Sequence, residues 1–118
     1  MNIITYNTQD KNFPEKLKEI NDCPKKLYVL GELPDLNKKT AAIVGARQAS
    51  NYGRTMAYEY AKILAEYDVQ IISGMAKGID AAAHEGALAA GKKTFAVLGS
   101  GVDVCYPACN KNLYDSII

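Results

Sequence analysis

Most of the residues able to do chemistry in this 118-residue chain sit in three glycine turns. They read Gly45-Ala46-Arg47, Ser73-Gly74-Met75-Ala76-Lys77-Gly78-Ile79-Asp80 and Gly99-Ser100-Gly101-Val102-Asp103, and each follows an apolar run, at 41–44, 69–72 and 94–98. In an open parallel sheet the carboxyl ends of the strands share one edge, and ligands bind there. Glycine lets the chain turn sharply and bares backbone N–H groups, while a helix starting just beyond directs its positive end to the same place, which suits phosphate. One such glycine is more often a plain turn; three at equivalent positions favour a phosphate-binding rim. Arg47 can fork its donors onto a phosphate at the helix start. Lys77 adds a second cation and Ser73 a hydroxyl. Tyr106, just past the third turn, is placed to stack on a base.

Other chemistries fare worse. Gly99-Ser-Gly101 supplies two glycines of a dinucleotide fingerprint but lacks the third and leads into Tyr106-Pro107 instead of a helix, and no GxxxxGK[ST] run exists. Asp80 is placed to cap the second helix, with the single His84 one turn further on the same face, so a contact between them is expected and a structural role for both. Ser73, Asp80 and His84 resemble a hydrolytic triad only in kind. Cys105 and Cys109 form a weak CxxxC signal with too few partners for a zinc site, so no metal is expected. Tyr52, Tyr58, Tyr60 and Tyr67 follow helical spacing and read as core or helix surface. No carboxylate pair stands out for acid–base work. No cofactor is expected.

Outside the turns, residues 51–67 and 79–90 carry helical periodicity, with Ala57, Ala61 and Ala65 on one and Ala82, Ala83 and Ala87 on the other. Strand, helix, strand, helix, strand at intervals of about 25–30 residues is the pattern of a parallel sheet. The unalternating strands suit a three-layer sandwich with helices on both faces, so the fold class is α/β, doubly wound and mostly parallel. Residues 27–30 supply a fourth strand. Four are fewer than the usual five or six, so the domain reads as truncated or completed by a partner. Residues 1–26, broken by Pro14 and Pro24 with Phe13, Leu17 and Ile20 on one helical face, read as an arm or short helix before the main domain at 27–118.

Composition narrows the class. An apolar fraction of 48% with 23% charged residues excludes a disordered or collagen-like chain. No apolar run approaches the roughly 20 residues of a membrane helix, no signal peptide is visible, and three unevenly spaced Cys suit a reducing cytoplasm. A net charge of +1 gives no global pull on nucleic acid, so any such binding needs a local basic face.

The three turns, together with Ala-Ala-His84-Glu-Gly-Ala-Leu88, Tyr106-Pro107, Asn110 and the upstream Phe13-Pro-Glu-Lys-Leu17 and Cys23-Pro-Lys-Lys-Leu-Tyr-Val-Leu-Gly31, resemble the DNA-processing protein A family (DprA, also called Smf) over about residues 12–114. The resemblance implies a Rossmann-like domain, of which 27–118 would be the first half to two thirds. It also implies a cytoplasmic, dimeric protein that binds single-stranded DNA and assists loading of the RecA recombinase in natural transformation, without catalytic turnover. Carried over by position, Gly45 and Arg47 match the phosphate-contacting turn. Ser73, Gly74, Lys77 and Gly78 match the second turn, and Gly99, Gly101 and Asn110 the third. The family's N-terminal helical domain, the second half of its Rossmann-like domain and its winged helix have no counterpart here. The rival readings are a Rossmann-like enzyme acting on nucleoside monophosphates, for which the PGGxGT-type loop is missing, and a non-functional fragment.

Overall fold

Residues 51–66 form a helix because a serine starts it and alanines give it a face to bury. In the computed structural model, which describes residues 2–118, Ser50 caps α2 (Asn51–Glu66), its hydroxyl accepting from the Gly53 N–H at 3.0 Å. Such a cap contributes about 1 kcal/mol. Ala57, Ala61 and Ala65 recur every four residues and are buried. They face α3 (Ile79–Ala89), whose Ala83 and Ala87 are fully buried, and together with Ile71 these small side chains make the core. Alanine on both helices lets them approach closely enough to share one layer.

Beneath them lie β3 (Thr40–Ala42), β4 (Gln70–Ser73) and β5 (Thr94–Ala96), all parallel and in the order β3-β4-β5. Two right-handed crossovers stepping the same way put α2 and α3 on the same side of the sheet. Register separates the faces: Ala41, Ile71 and Thr94 are level with one another on the helix side, and Ala42, Ile72 and Phe95 on the other. Two residues further along β3 and β5, Val44 and Val97 continue that second face and are each 68% exposed. The chain is α/β as expected, but among the described residues helices cover one face only.

The strand at 27–30 has a different place from the one expected. β2 (Lys26–Val29) pairs antiparallel with β1 (Ile4–Asn7), Ile4 opposite Val29 and Asn7 opposite Lys26, in a two-stranded sheet of its own. The parallel sheet therefore has three strands, and the supposed arm contributes one strand of the ribbon. β1 is short and flanked by Asn, Gln, Asp and Lys, which hid it. Between β1 and β2 only a single turn, α1 (Glu15–Lys18), is helical; Phe13 before it is fully buried, while Ile20, placed on the same face by periodicity, is half exposed. At the other end a 3-10 turn (Ala108–Asn110) leads into α4 (Lys111–Ile117), which buries Leu113 against Met75 and Ala81. Among the described residues no helix is long and apolar enough to cross a membrane.

Candidate nucleic-acid interface

Because the three strands are parallel neighbours, the turns that begin at Gly45, Gly74 and just beyond β5 emerge along one sheet edge. The first two are physically joined. Asp80, in the first turn of α3 and only 7% exposed, accepts from the Gly45 N–H through Oδ1 at 3.1 Å and from the Gly74 N–H through Oδ2 at 3.2 Å. This corrects the expected cap. The residue starting α3 is Gly78, and Asp80, two positions inside the helix, reaches across to the neighbouring turns instead of back to its own first N–H groups. Position 74 must be glycine for this to happen, since a Cβ there would stand 2.8 Å from Asp80 Oδ2.

Gly78 completes the junction. It has φ +81°, and a Cβ on it would drive into the carbonyls of Ala46 and Arg47. The Ile79 N–H donates to the Ala46 carbonyl at 3.3 Å. The backbones carrying Arg47 and Lys77 are thus pressed together, and both side chains are exposed. Neither has a hydrogen-bond or ion-pair partner among the described residues, which is true also of Lys11, Lys16, Lys25, Lys26, Lys39 and Lys62, while Lys18, Lys38, Lys92, Lys93 and Lys111 pair with carboxylates. Beside Gly78 a groove of about 340 Å³ opens between α2 and α3, lined by Arg54, Tyr58 and Glu85. Arg54 is held there by the Ala49 carbonyl and the Asn51 side chain.

Ser73 is turned inward. Level with Ala96 on the helix side of the sheet and 3% exposed, it donates its hydroxyl to the Ile43 carbonyl at 2.6 Å and presents nothing at the rim. His84 is fully buried and makes its hydrogen bond to Thr94 Oγ1 at 2.7 Å, not to Asp80. Thr94 in turn donates to the Ile71 carbonyl at 3.1 Å, so its oxygen accepts from His84 and the imidazole proton sits on Nδ1. Nε2 is left without a partner among the described residues. Burial pushes the His84 pKa down to about 4, the Asp80 charge opposing the shift. No arrangement of Ser73, Asp80 and His84 resembles a catalytic triad.

The third turn is looser. Gly99 has open space around it, and Tyr106 is 68% exposed. Asn110 ties this region to the second turn, its amide donating to the Met75 carbonyl at 2.9 Å. Met75 itself is buried with φ +61°, a conformation that costs a non-glycine residue about 1 kcal/mol or more and that the Asn110 bond helps to hold. A cavity of about 690 Å³ lies away from the two cations. It runs along the free edge of β5 from Tyr28 and Leu30 to Gly101 and Asp103.

Asp80 and Asn110 as cross-ties were beyond sequence reasoning, although a carboxylate two residues after a glycine helix start carried a signal. An acceptor at that position is offered to whatever turns pack against the helix.

The layered α/β fold, with its parallel strands ending in glycine turns along one edge, defines a Rossmann-like domain. Comparison with known proteins specifies it further: the chain belongs to the family described as DNA recombination-mediator protein A, whose profile matches residues 2–118. It is 42% identical over 113 residues to the DNA processing protein DprA of Streptococcus pneumoniae, and 38% identical over 108 residues to Protein Smf of Borreliella burgdorferi. Those matches cover 96% and 92% of this chain but only 40% and 34% of the relatives, so the chain spans about two fifths or less of their length. In three dimensions it superposes on the X-ray structure of the S. pneumoniae protein with a TM-score of 0.85 at 39% identity, covering 98% of this chain and 40% of that one. It is similar also to DNA processing protein A of Helicobacter pylori, a structure concerned with a single-stranded DNA binding mode, with a TM-score of 0.84 at 30% identity, covering 98% and 51%.

Proposed function

We propose that this chain supplies a phosphate-gripping edge for single-stranded DNA in a DNA-processing protein that acts by binding rather than turnover. The observation that carries this reading is the pair Arg47 and Lys77, exposed and unpaired on two turns whose backbones touch. Cations on two touching turns suit the phosphates of one strand, and the third turn with Gly99, Gly101 and exposed Tyr106 continues the same edge with a ring for a base to stack on. The H. pylori relative, studied for its single-stranded DNA binding mode, supports the choice of ligand. Delivery of the strand to RecA during transformation, a homodimeric assembly and a cytoplasmic location belong to the same proposal and rest on family membership.

The test is a titration of fluorescently labelled oligo-dT by anisotropy at several salt concentrations. Phosphate contacts release counterions, so affinity falls with salt, and Arg47→Ala is expected to weaken binding to every sequence and to reduce the log–log salt slope by about one. Equal affinity of Arg47→Ala and the parent at low salt would remove Arg47 from the site.

A further inference from the structure

We propose that Asp80 is the resident anion of the first two glycine turns and the positioning residue for the rim, so that DNA phosphate is held on the outer cations Arg47 and Lys77 and not on the turn amides. This deepens the single-strand reading above and rests on it.

Strand-end glycine turns usually offer bare N–H groups to a ligand phosphate. Here the Gly45 and Gly74 N–H groups already point at one carboxylate, at 3.1 and 3.2 Å, each to a different oxygen. The carboxylate lies in the first turn of α3, where the helix dipole favours negative charge, and it is almost wholly buried. It occupies the seat that a phosphate oxygen pair would take, and a second anion there would meet its charge. Gly74 is shaped to admit the carboxylate, since any Cβ would collide with Oδ2. One side chain on α3 thereby fixes the end of β3 to the end of β4, and with them the spacing of Arg47 and Lys77. The cations remain free because the internal charge spends its hydrogen bonds on backbone.

The geometry requires an acceptor on both branches. Asp80→Asn keeps the shape but turns an NH2 group toward one of the two N–H donors, so it removes one of the two bonds and the charge, whereas Asp80→Ala removes both bonds. The first readout needs no DNA. In ¹⁵N-resolved spectra of the 118-residue chain, the Gly45 and Gly74 amide protons are expected to lie downfield, both moving upfield together in Asp80→Ala and at least one of them in Asp80→Asn, with a thermal midpoint lower by about 10 °C. Sodium formate, but not chloride at equal ionic strength, is expected to recover both shifts and most of the midpoint in Asp80→Ala by returning a carboxylate to the seat. The second readout is oligo-dT affinity. Asp80→Asn is expected to bind about tenfold more weakly with an unchanged salt slope, because the number of phosphates contacted stays the same, in contrast to Arg47→Ala. Unmoved amide shifts and midpoint in Asp80→Asn, or no advantage of formate over chloride, would overturn the assignment; so would a salt slope reduced by one in Asp80→Asn. A parent chain with no affinity for oligo-dT at low salt would instead overturn the single-strand reading, while the amide shifts and formate response still decide the role of Asp80.

Discussion

Lowering the pH from 7 to 5 is expected to destabilise this protein through one imidazole. His84 is the single histidine of the chain and is completely buried, with its pKa depressed from an ordinary 6.5 to about 4. Below pH 6.5 the unfolded chain takes up a proton that the folded chain refuses until about pH 4. The His84 contribution is therefore complete at neutral pH and is lost as the pH falls through that window. Each pKa unit is worth about 1.4 kcal/mol, so the full displacement corresponds to about 3 kcal/mol, of which about 2 kcal/mol is lost between pH 7 and pH 5. The assay is urea unfolding of the parent and His84→Gln at half-unit steps of pH. Carboxylates and lysines contribute equally to both, so the difference between the curves isolates the imidazole and is expected to shrink by about 2 kcal/mol on acidification. A lone histidine also gives one unobstructed ring resonance by NMR, which is expected to stay unprotonated through pH 5. A ring that titrates near 6.5, or parallel pH curves for the two proteins, would refute the argument even if His84→Gln proved too unstable to compare.

The remaining predictions concern the turns. Gly78→Ala forces a side chain into positive φ and against the Ala46 and Arg47 carbonyls, and is expected to cost 2 kcal/mol or more, about the level of a severe core change, in urea melts. Gly99→Ala, with nothing within 4 Å of the new methyl, is expected to stay within about 0.5 kcal/mol of the parent by the same measurement. Asn110→Ala removes the bond to the Met75 carbonyl and is expected to cost about 1 kcal/mol, with faster hydrogen exchange confined to the second turn.

The sequence made the main chain of this fold readable where periodicity and glycine coincide. The helix expected at 51–67 ends at Glu66, the one at 79–90 ends at Ala89, and the apolar runs before, between and after them supply the three parallel strands. The partner of a strand is less readable than the strand. Residues 26–29 are extended as expected, yet pair with a segment whose polar surroundings disguised it, because hydrogen-bond partners are chosen by tertiary packing and not by local propensity. The rim shows the same divide. Arg47 and Lys77 are exposed at the carboxyl edge of the sheet, whereas Ser73 faces the helices because its strand parity matches Ile71, which the core needs inside. Asp80 and Asn110 act at 35-residue separations in sequence, on Gly45 and Met75, and no window of local pattern reports that.

The bare side of the sheet has a consequence for handling. Val44 and Val97 stand open to solvent there, next to Ala42, Ile72 and Phe95. Water meets hydrocarbon at the ends of the two outer strands, so molecules of the isolated polypeptide are expected to adhere to greasy surfaces and to one another as they are concentrated. Colloidal behaviour, more than thermal denaturation, will then set the working concentration in solution.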